Sequence, residues 1–279
     1  MKKTKSEKII LTIVFIIFVI YALSLIFPFV WALLNSFKTS TEFFASQQFL
    51  SLPNEWTLEN YGRVLSEYDI PVMFLRSVYI TVVGAFLGVM ISAMAAYVVS
   101  RYDFKFRNLV YTIAIAVMVV PTVGSLSATF KLLNDLGMYN NLWTFPIMYA
   151  GGFGFGFLLL YAYFKNIPWE YAEAAYVDGA SDFGVFFRIM LPQAKPGLIA
   201  LGVIFGISIW NDFFAPFMFI PDRQTIAVGL QDIVNIMQYR AEWPMLFAAM
   251  IIAVIPVIIV FGIFQKTIME NTVAGGLKG

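Results

Sequence analysis

The chain has 279 residues, of which 60% are apolar, 18% aromatic and only 13% charged, whereas an ordinary soluble domain is about 45–50% apolar and about 25% charged. This composition and a mean hydropathy of +0.80 indicate a membrane protein. The lack of cysteine and histidine excludes disulfides, Fe–S clusters, thiol catalysis and histidine-based acid–base or metal chemistry. A net charge of +1 with scattered basic residues gives no support for nucleic-acid binding.

Six apolar runs, each long enough to cross a bilayer and bounded by charged residues, predict an all-α membrane protein with six transmembrane helices. They form one transmembrane domain, 1–279, and lie at about 9–34, 74–99, 108–130, 143–164, 198–219 and 243–264. The first run is too long for a signal peptide and lacks a cleavage site, so it is expected to remain as a helix.

The distribution of Lys and Arg predicts the orientation of the chain. Twelve of the 18 basic residues fall on the side that carries both termini, and the positive-inside rule therefore places both termini in the cytoplasm. The twelve are Lys2, Lys3, Lys5, Lys8, Arg101, Lys105, Arg107, Lys165, Arg188, Lys195, Lys266 and Lys278.

Prolines inside the apolar runs free backbone carbonyls that neighbours or water must satisfy. They either kink packed helices or, at Pro121 and Pro216, shape a central pathway, and the sequence leaves both readings open. The five are Pro28, Pro121, Pro146, Pro216 and Pro256.

The cytoplasmic loop 165–196 is too polar to span the membrane and is patterned as a helix, a turn and a helix. Gly179 lies where a helix C-terminus favours positive φ, and Ser181 or Asp182 can cap the second helix. That helix carries an apolar stripe, and Pro192 is expected to end it. The stripe consists of Phe183, Phe186, Phe187 and Met190.

The same loop suits docking to a cytoplasmic partner. Small residues at its bend allow close backbone approach to a groove, and Glu173 offers a charge that an Arg or Lys of the partner can pair with. Taken alone, Glu173 reads equally as a solvated helix charge.

The spacing in this loop resembles a known family. Every fixed position of the E-A-A-x3-G-x9-I-x-L-P loop of ATP-binding-cassette (ABC) importer permeases is present, and Asp178 fits the fuller pattern of the carbohydrate branch. The matching residues are Glu173, Ala174, Ala175, Gly179, Ile189, Leu191 and Pro192. Residues 35–39, 57–61, 95–101, 210–211 and 274–279 also resemble the shorter, six-span permease subunit of maltose-type importers.

The resemblance implies a type I importer permease in a bacterial cytoplasmic membrane, with the loop 165–196 as its coupling-helix loop. The implied partners are a second homologous permease, a cytoplasmic ATPase dimer, an extracellular sugar-binding protein and the lipid bilayer. No G-x-x-x-x-G-K-[ST] sequence occurs, so nucleotide binding belongs to a partner. The chain itself is not expected to be an enzyme or to have a catalytic residue, a metal or a cofactor. The partner ATPase is expected to use ATP and Mg²⁺.

The fifth apolar run contains the candidate solute path, formed by Trp210, Asn211, Asp212 and Phe213. A carboxylate inside such a run is costly unless it faces a polar cavity or a partner group. An aromatic face, an amide and an acceptor suit a sugar. The alternative is an aromatic-rich helix in which Asp212 bonds to another helix, because four successive residues cannot all face one cavity.

The outer segment from about 220 to 242 resembles the part of these permeases that contacts the extracellular binding protein. By itself it reads as a polar connection. The candidate contacts are Asp222, Arg223, Tyr239 and Arg240.

The spans hold no Lys or Arg apart from Arg76 near one end, which favours an uncharged solute. The resemblance favours a di- or oligosaccharide, and a raffinose-like α-galactoside is a guess within that class. A glycerol-phosphate or polyamine route is disfavoured but open.

An ion-coupled secondary transporter acting alone, with Asp212 carrying H⁺ or Na⁺, is the main alternative to an ATP-driven importer. An intramembrane enzyme is disfavoured because the chain lacks the pairs of groups that such catalysis needs.

Overall fold

The computed structural model describes residues 4–45, 50–119 and 126–274, with side chains over the same ranges except residues 6 and 267–274. Every regular element in these ranges is a helix, which agrees with the predicted all-α class. The chain divides into two compact units: residues 1–71 with 229–255, and residues 72–228 with 256–279.

Three predicted spans are continuous helices. They are α1 (Lys5–Ser36), α4 (Ile70–Arg101) and α14 (Trp243–Ala274), with 32 residues each. At 1.5 Å per residue this is about 48 Å, longer than the ~30 Å hydrocarbon core of a bilayer. α1 begins with a capping box, in which the backbone N–H of Glu7 donates to Oγ1 of Thr4 and the N–H of Thr4 donates back to Oε2 of Glu7.

The other three predicted spans are interrupted. The run 108–130 contains α5 (Arg107–Ala116) and the start of α6 (Leu126–Asp135). The run 143–164 contains a 3₁₀ turn (Phe145–Tyr149) and then α7 (Phe155–Asn166). The run 198–219 divides into α11 (Lys195–Trp210) and α12 (Phe214–Phe219).

A hydropathy window measures composition and not continuity, so it does not detect these breaks. Glycines interrupt the fourth run, where Gly154 has a φ of +90°. Within the part of the chain that the structure describes, three helices are long and apolar enough to span a membrane, or four if a pair bent by 78° counts as one span. The total of six spans stays a prediction.

The remaining helices connect these long segments. They are α2 (Ser40–Ala45), α3 (Glu59–Glu67), α8 (Glu170–Val177), α9 (Asp182–Val185), α10 (Leu191–Gln193) and α13 (Ile226–Arg240).

The prolines take different roles. Pro28 and Pro256 lie inside the long helices α1 and α14. Pro146 lies in the 3₁₀ turn and Pro216 in the first turn of α12, just after the break in the fifth run. Pro121 lies outside the described residues, so its part in a pathway stays a prediction.

In the unit of residues 1–71 and 229–255, α3 is tied to the C-terminal end of α1. The buried amide of Asn60 donates to the carbonyl oxygens of Ser36 and Lys38, each at 2.8 Å. The hydroxyls of Ser36 and Tyr61 lie 2.6 Å apart. The amide of Asn60 thereby satisfies the carbonyl of Ser36, which the end of α1 leaves without an intrahelical partner.

In the unit of residues 72–228 and 256–279, the core forms around Phe157, Leu160 and Phe164, which are fully buried. Glycines let the helices approach closely. A Cβ on Gly156 would lie 2.9 Å from Cζ of Phe205 and 3.0 Å from Oγ of Ser92. The Gly152-x-x-x-Gly156 sequence is therefore a close-packing feature.

Candidate coupling loop and solute path

The loop 165–196 folds as the predicted helix pair. α8 ends in a Schellman motif, in which the N–H of Ala180 donates to the carbonyl of Ala175 and the N–H of Gly179 donates to that of Tyr176. Gly179 has a φ of +83°, the left-handed conformation that glycine adopts without a steric penalty. The hydroxyl of Ser181 accepts the N–H of Gly184 and so caps the next helix. The local sequence alone accounts for this bend.

Pro192 does not end the second helix, contrary to the prediction. The chain stays helical from α9 through a π-helical turn (Phe186–Met190) into α10, and it bends by 78° before α11. In the π turn the N–H of Leu191 donates to the carbonyl of Phe186, five residues back. This wider turn accommodates a residue that lacks a donor. The helix ends at Ala194, and Pro196 lies in the first turn of α11.

The predicted apolar stripe of the second helix is two stripes. Phe186 and Met190 are buried, and the Phe186 ring centroid lies 5.0 Å from that of Tyr97. Phe183 and Phe187, also four residues apart, are exposed. Residues four apart share a helix face, so one pair anchors the loop and the other faces outward.

The outward surface of the loop contains most of the residues that matched the importer motif. Glu173, Ala174, Asp178, Gly179 and Pro192 are exposed, while Ala175, Ile189 and Leu191 are half-buried. Apolar side chains accompany them, with Val177 88% exposed and Phe183 75% exposed. A groove of ≈ 600 Å³ runs along this surface. Its lining includes Ala175, Gly179, Phe183, Phe187 and Ile189. Exposed apolar side chains, a charged residue and a groove on one surface are features that protein-docking surfaces share.

A cluster of hydroxyls joins the loop to the end of α4. The hydroxyl of Tyr176 donates to Oδ1 of Asp182 at 2.7 Å, and that of Tyr102 donates to the same oxygen at 3.1 Å. Burial and these hydrogen bonds raise the pKa of both tyrosines, which keeps them neutral. The guanidinium of Arg101 donates to the carbonyl of Ile167 at the start of the loop. The sequence does not predict this cluster, because no spacing rule relates residues 102 and 182.

The four solute-path candidates do not face one cavity. Trp210 is buried, with its ring edge against Phe74 at 5.4 Å between centroids. Asp212 receives the hydroxyl of Tyr149 at Oδ2, 3.0 Å away, and the N–H of Ala215 at Oδ1, 3.1 Å away. Both carboxylate oxygens therefore have partners within the protein, which fits the alternative reading of Asp212.

Asn211 and Phe213 are the exposed members of the set. The amide nitrogen of Asn211 donates back to the carbonyl of Ile207, which leaves its amide oxygen outward. Phe213 stacks on Phe217 with 5.2 Å between ring centroids and 17° between planes. The break between α11 and α12 thus presents an amide and two parallel rings.

The outer segment is not a simple polar connection, since residues 226–240 form α13. Asp222 pairs reciprocally with Asn140: the amide of Asn140 donates to Oδ2 of Asp222 at 2.6 Å, and the N–H of Asp222 donates to Oδ1 of Asn140 at 3.3 Å. Arg223 is exposed. At the end of α13, Tyr239 is 90% exposed, and Arg240 donates to the hydroxyl of Tyr68. These residues remain accessible to a partner, with Asp222 and Arg240 held in place by internal bonds.

Comparisons of the sequence with a family model and with known proteins point to the same family. Residues 88–270 match the model of the binding-protein-dependent transport system inner membrane component. The chain is 31% identical to the diacetylchitobiose uptake system permease protein NgcG of Streptomyces coelicolor, over 93% of this chain and 86% of that protein. It is 30% identical to the trehalose/maltose transport system permease protein MalG of Thermococcus litoralis, over 94% of each.

The fold is similar to that of a solved bacterial ABC transporter involved in the import of the acidic polysaccharide alginate. The TM-score is 0.80 at 23% identity, over 95% of this chain and 99% of that one. The family match covers most of the chain, and the named relatives are carbohydrate permeases, so the resemblance inferred from the loop 165–196 is confirmed. The chain belongs to the family of binding-protein-dependent transport system inner membrane components, the permease proteins of ABC importers.

Proposed function

We propose that this chain is one of two membrane-spanning subunits of an ATP-driven importer that receives a di- or oligosaccharide from an extracellular binding protein. The observation that carries the proposal is the family match over residues 88–270, together with relatives named for diacetylchitobiose and for trehalose or maltose.

The ATPase is proposed to dock on the outward surface of the loop 165–196. Glu173, Val177 and Phe183 are all exposed, while Ala172 and Met190 are fully buried and anchor the loop in the core. A rigid helix pair with one free face can carry a displacement from a partner into the membrane helices. ATP and Mg²⁺ belong to that partner, because this chain has no phosphate-binding loop of the Walker A type.

Lipid and a second permease subunit are proposed to cover the apolar helices. The apolar window of α1 is 0% buried within the chain at a mean hydropathy of 3.1, which suits a helix surrounded by lipid or by another transmembrane subunit. Both termini are proposed to lie in the cytoplasm, on the basis of the Lys and Arg distribution.

For the solute path, the exposed amide of Asn211 and the stacked rings of Phe213 and Phe217 are the best candidates. A sugar presents apolar ring faces to aromatic side chains and hydroxyls to amides. Trp210 and Asp212 support this surface from inside the protein. Trp210 packs on Phe74, while Asp212 caps α12 and accepts a hydrogen bond from the hydroxyl of Tyr149. Asp222, Arg223, Tyr239 and Arg240 are proposed contacts with the binding protein.

The ion-coupled alternative is less well supported. It needs Asp212 to exchange H⁺ or Na⁺, whereas both of its carboxylate oxygens are engaged by Tyr149 and Ala215. It also leaves the exposed surface of the loop 165–196 without a task.

The test is purification of the tagged chain from its native membrane in mild detergent, with mass spectrometry of the bound proteins. We expect a second permease and an ATPase with a Walker A sequence, and ATP hydrolysis by the complex that rises on adding binding protein loaded with an oligosaccharide. A chain that purifies alone and transports under an ion gradient in liposomes would overturn the proposal.

A further inference from the structure

Three oxygens from three parts of the chain meet beside the loop 165–196. Tyr102 directly follows α4, Tyr176 belongs to α8, and Asp182 is the first residue of α9. The hydroxyl oxygens of Tyr102 and Tyr176 lie 3.0 Å apart, and both lie within hydrogen-bond distance of Oδ1 of Asp182. Both helices of the loop thus meet the end of α4 at one carboxylate.

Hydrogen counting makes the carboxylate the centre of this cluster. Each tyrosine hydroxyl carries one hydrogen, and an ionised carboxylate accepts without donating. The hydroxyl of Tyr97 lies 3.4 Å from that of Tyr102 and adds a third hydrogen. When Tyr176 and Tyr102 both donate to Asp182, Tyr97 can donate to Tyr102, and all three hydrogens are used. In this arrangement, loss of the Tyr102 hydroxyl removes a donor from Asp182 and an acceptor from Tyr97.

Arg101 fixes the other end of the loop to the same helix end. Its guanidinium donates to the carbonyl of Ile167 and lies 5.5 Å from the ring centroid of Trp169. Arg101 and Tyr102 are consecutive, so one helix end holds both the entry of the loop and the junction of its two helices.

We propose that Tyr102, Tyr176 and Asp182 are positioning residues for transport, because their oxygen cluster makes α4 move together with the loop 165–196. The inference rests on the proposed function and assigns a separate step within it. The chain itself connects the loop to α7 and α11 only. Force applied at the loop reaches α4 through non-covalent contacts. The cluster, together with the bond from Arg101 to the carbonyl of Ile167, is the polar and directional part of those contacts.

Packing alone does not supply the same direction. Phe186 of the loop contacts Tyr97 of α4 through ring surfaces, with 5.0 Å between centroids. Apolar surfaces of this kind can slide over one another, whereas hydrogen bonds to one shared carboxylate hold distance and angle.

The experiment uses the complete importer reconstituted in liposomes, with its second permease, ATPase and binding protein. Sugar transported per ATP hydrolysed is measured for the wild type and for Tyr102→Phe, Asp182→Ala and Asp182→Glu. We expect Tyr102→Phe and Asp182→Ala to lower this ratio several-fold while ATP hydrolysis stimulated by the binding protein persists. Asp182→Glu keeps an acceptor and should restore much of the ratio. Tyr111→Phe is the matched control, because Tyr111 of α5 packs through its ring on Phe157 and Tyr161, while its hydroxyl has no hydrogen bond to the described residues.

The double variant Tyr102→Phe with Asp182→Ala should lower the ratio no further than Asp182→Ala alone, since both changes remove one shared contact. Fully additive losses, or an unchanged ratio in Tyr102→Phe, would overturn the inference. If Tyr102→Phe does not assemble, the comparison of Asp182→Ala with Asp182→Glu replaces it. Equal amounts of sugar transported per ATP in these two variants would show that the cluster has no role in coupling. Glu173→Lys tests the proposed function independently of the cluster. If Tyr102→Phe couples normally while Glu173→Lys loses transport, the inference about the cluster is wrong and the proposed function stands.

Discussion

The hydroxyl of Tyr149 donates a hydrogen bond to Oδ2 of Asp212 across 3.0 Å, and the N–H of Ala215 occupies Oδ1 of the same carboxylate. The bond joins the 3₁₀ turn Phe145–Tyr149 to the break between α11 and α12. A carboxylate in the middle of an apolar run is thereby satisfied within the chain, and it holds the geometry of the break that exposes Asn211 and Phe213.

Tyr149→Phe should destabilise the protein by about 1–3 kcal/mol, because it leaves one oxygen of a charged group without this donor in apolar surroundings. Thermal unfolding of the purified protein in detergent measures the change. The double variant Tyr149→Phe with Asp212→Ala should lose less than the sum of the two single changes, since one bond is shared. Additive losses would show that the two residues do not interact.

Glu173→Lys should reduce transport by about tenfold or more without changing expression. Reversal of a charge at a docking surface replaces attraction to a basic group of the ATPase by repulsion, and tenfold corresponds to only ~1.4 kcal/mol. The readouts are copurification of the ATPase and solute uptake. Glu55→Lys makes the same change at an exposed residue outside the loop and should have no effect. Unchanged uptake in Glu173→Lys would count against docking at this surface.

Gly179→Ala tests the bend of the loop. A Cβ at this position meets nothing within 4 Å, so the cost comes from placing alanine at a φ of +83°, about 1–2 kcal/mol. We expect weaker coupling of ATP hydrolysis to transport because the two helices of the loop lose their fixed angle. Gly206→Ala in α11 is the control, since its Cβ would make an ordinary contact with Thr81 at 3.8 Å. Equal effects of the two substitutions would show that the backbone conformation of Gly179 is not the cause.

The bend of the loop could be predicted from the sequence because its determinants are neighbours in the chain. Gly179 closes a helix that ends just before it, and Ser181 bonds to Gly184 three residues on. The contact that attaches the loop to the end of α4 is long-range, since Tyr102 and Asp182 are 80 residues apart. The contact that satisfies Asp212 is also long-range, since Tyr149 and Asp212 are 63 residues apart. No periodicity or capping rule brings such pairs together.

The interruptions in three apolar runs escaped prediction for a different reason. Hydropathy measures how strongly a segment prefers lipid to water. A continuous helix and a helix broken inside the protein can have the same hydropathy. The break at residues 211–213 becomes acceptable only when Tyr149 and Ala215 satisfy Asp212. Which residues become these partners depends on tertiary packing, and a hydropathy average over neighbouring residues carries no information about that packing.

Gly88→Ala should destabilise the protein through overpacking between α4 and the end of the 3₁₀ turn. A Cβ on Gly88 would lie 2.8 Å from the carbonyl oxygen of Tyr149 and 2.9 Å from Cδ2 of Phe205. The backbone oxygen cannot rotate away, so helix and turn must separate, at a cost of about 1–3 kcal/mol. Gly62→Ala in α3 is the matched control, because its Cβ would meet nothing within 4 Å; it should stabilise by about 0.5–1 kcal/mol through helix propensity. Thermal unfolding of both variants decides: a lower midpoint for Gly88→Ala with a raised one for Gly62→Ala supports close packing at Gly88. Equal shifts would mean that α4 and the turn separate at no cost, and the bond from Tyr149 to Asp212 would then have to tolerate the same displacement.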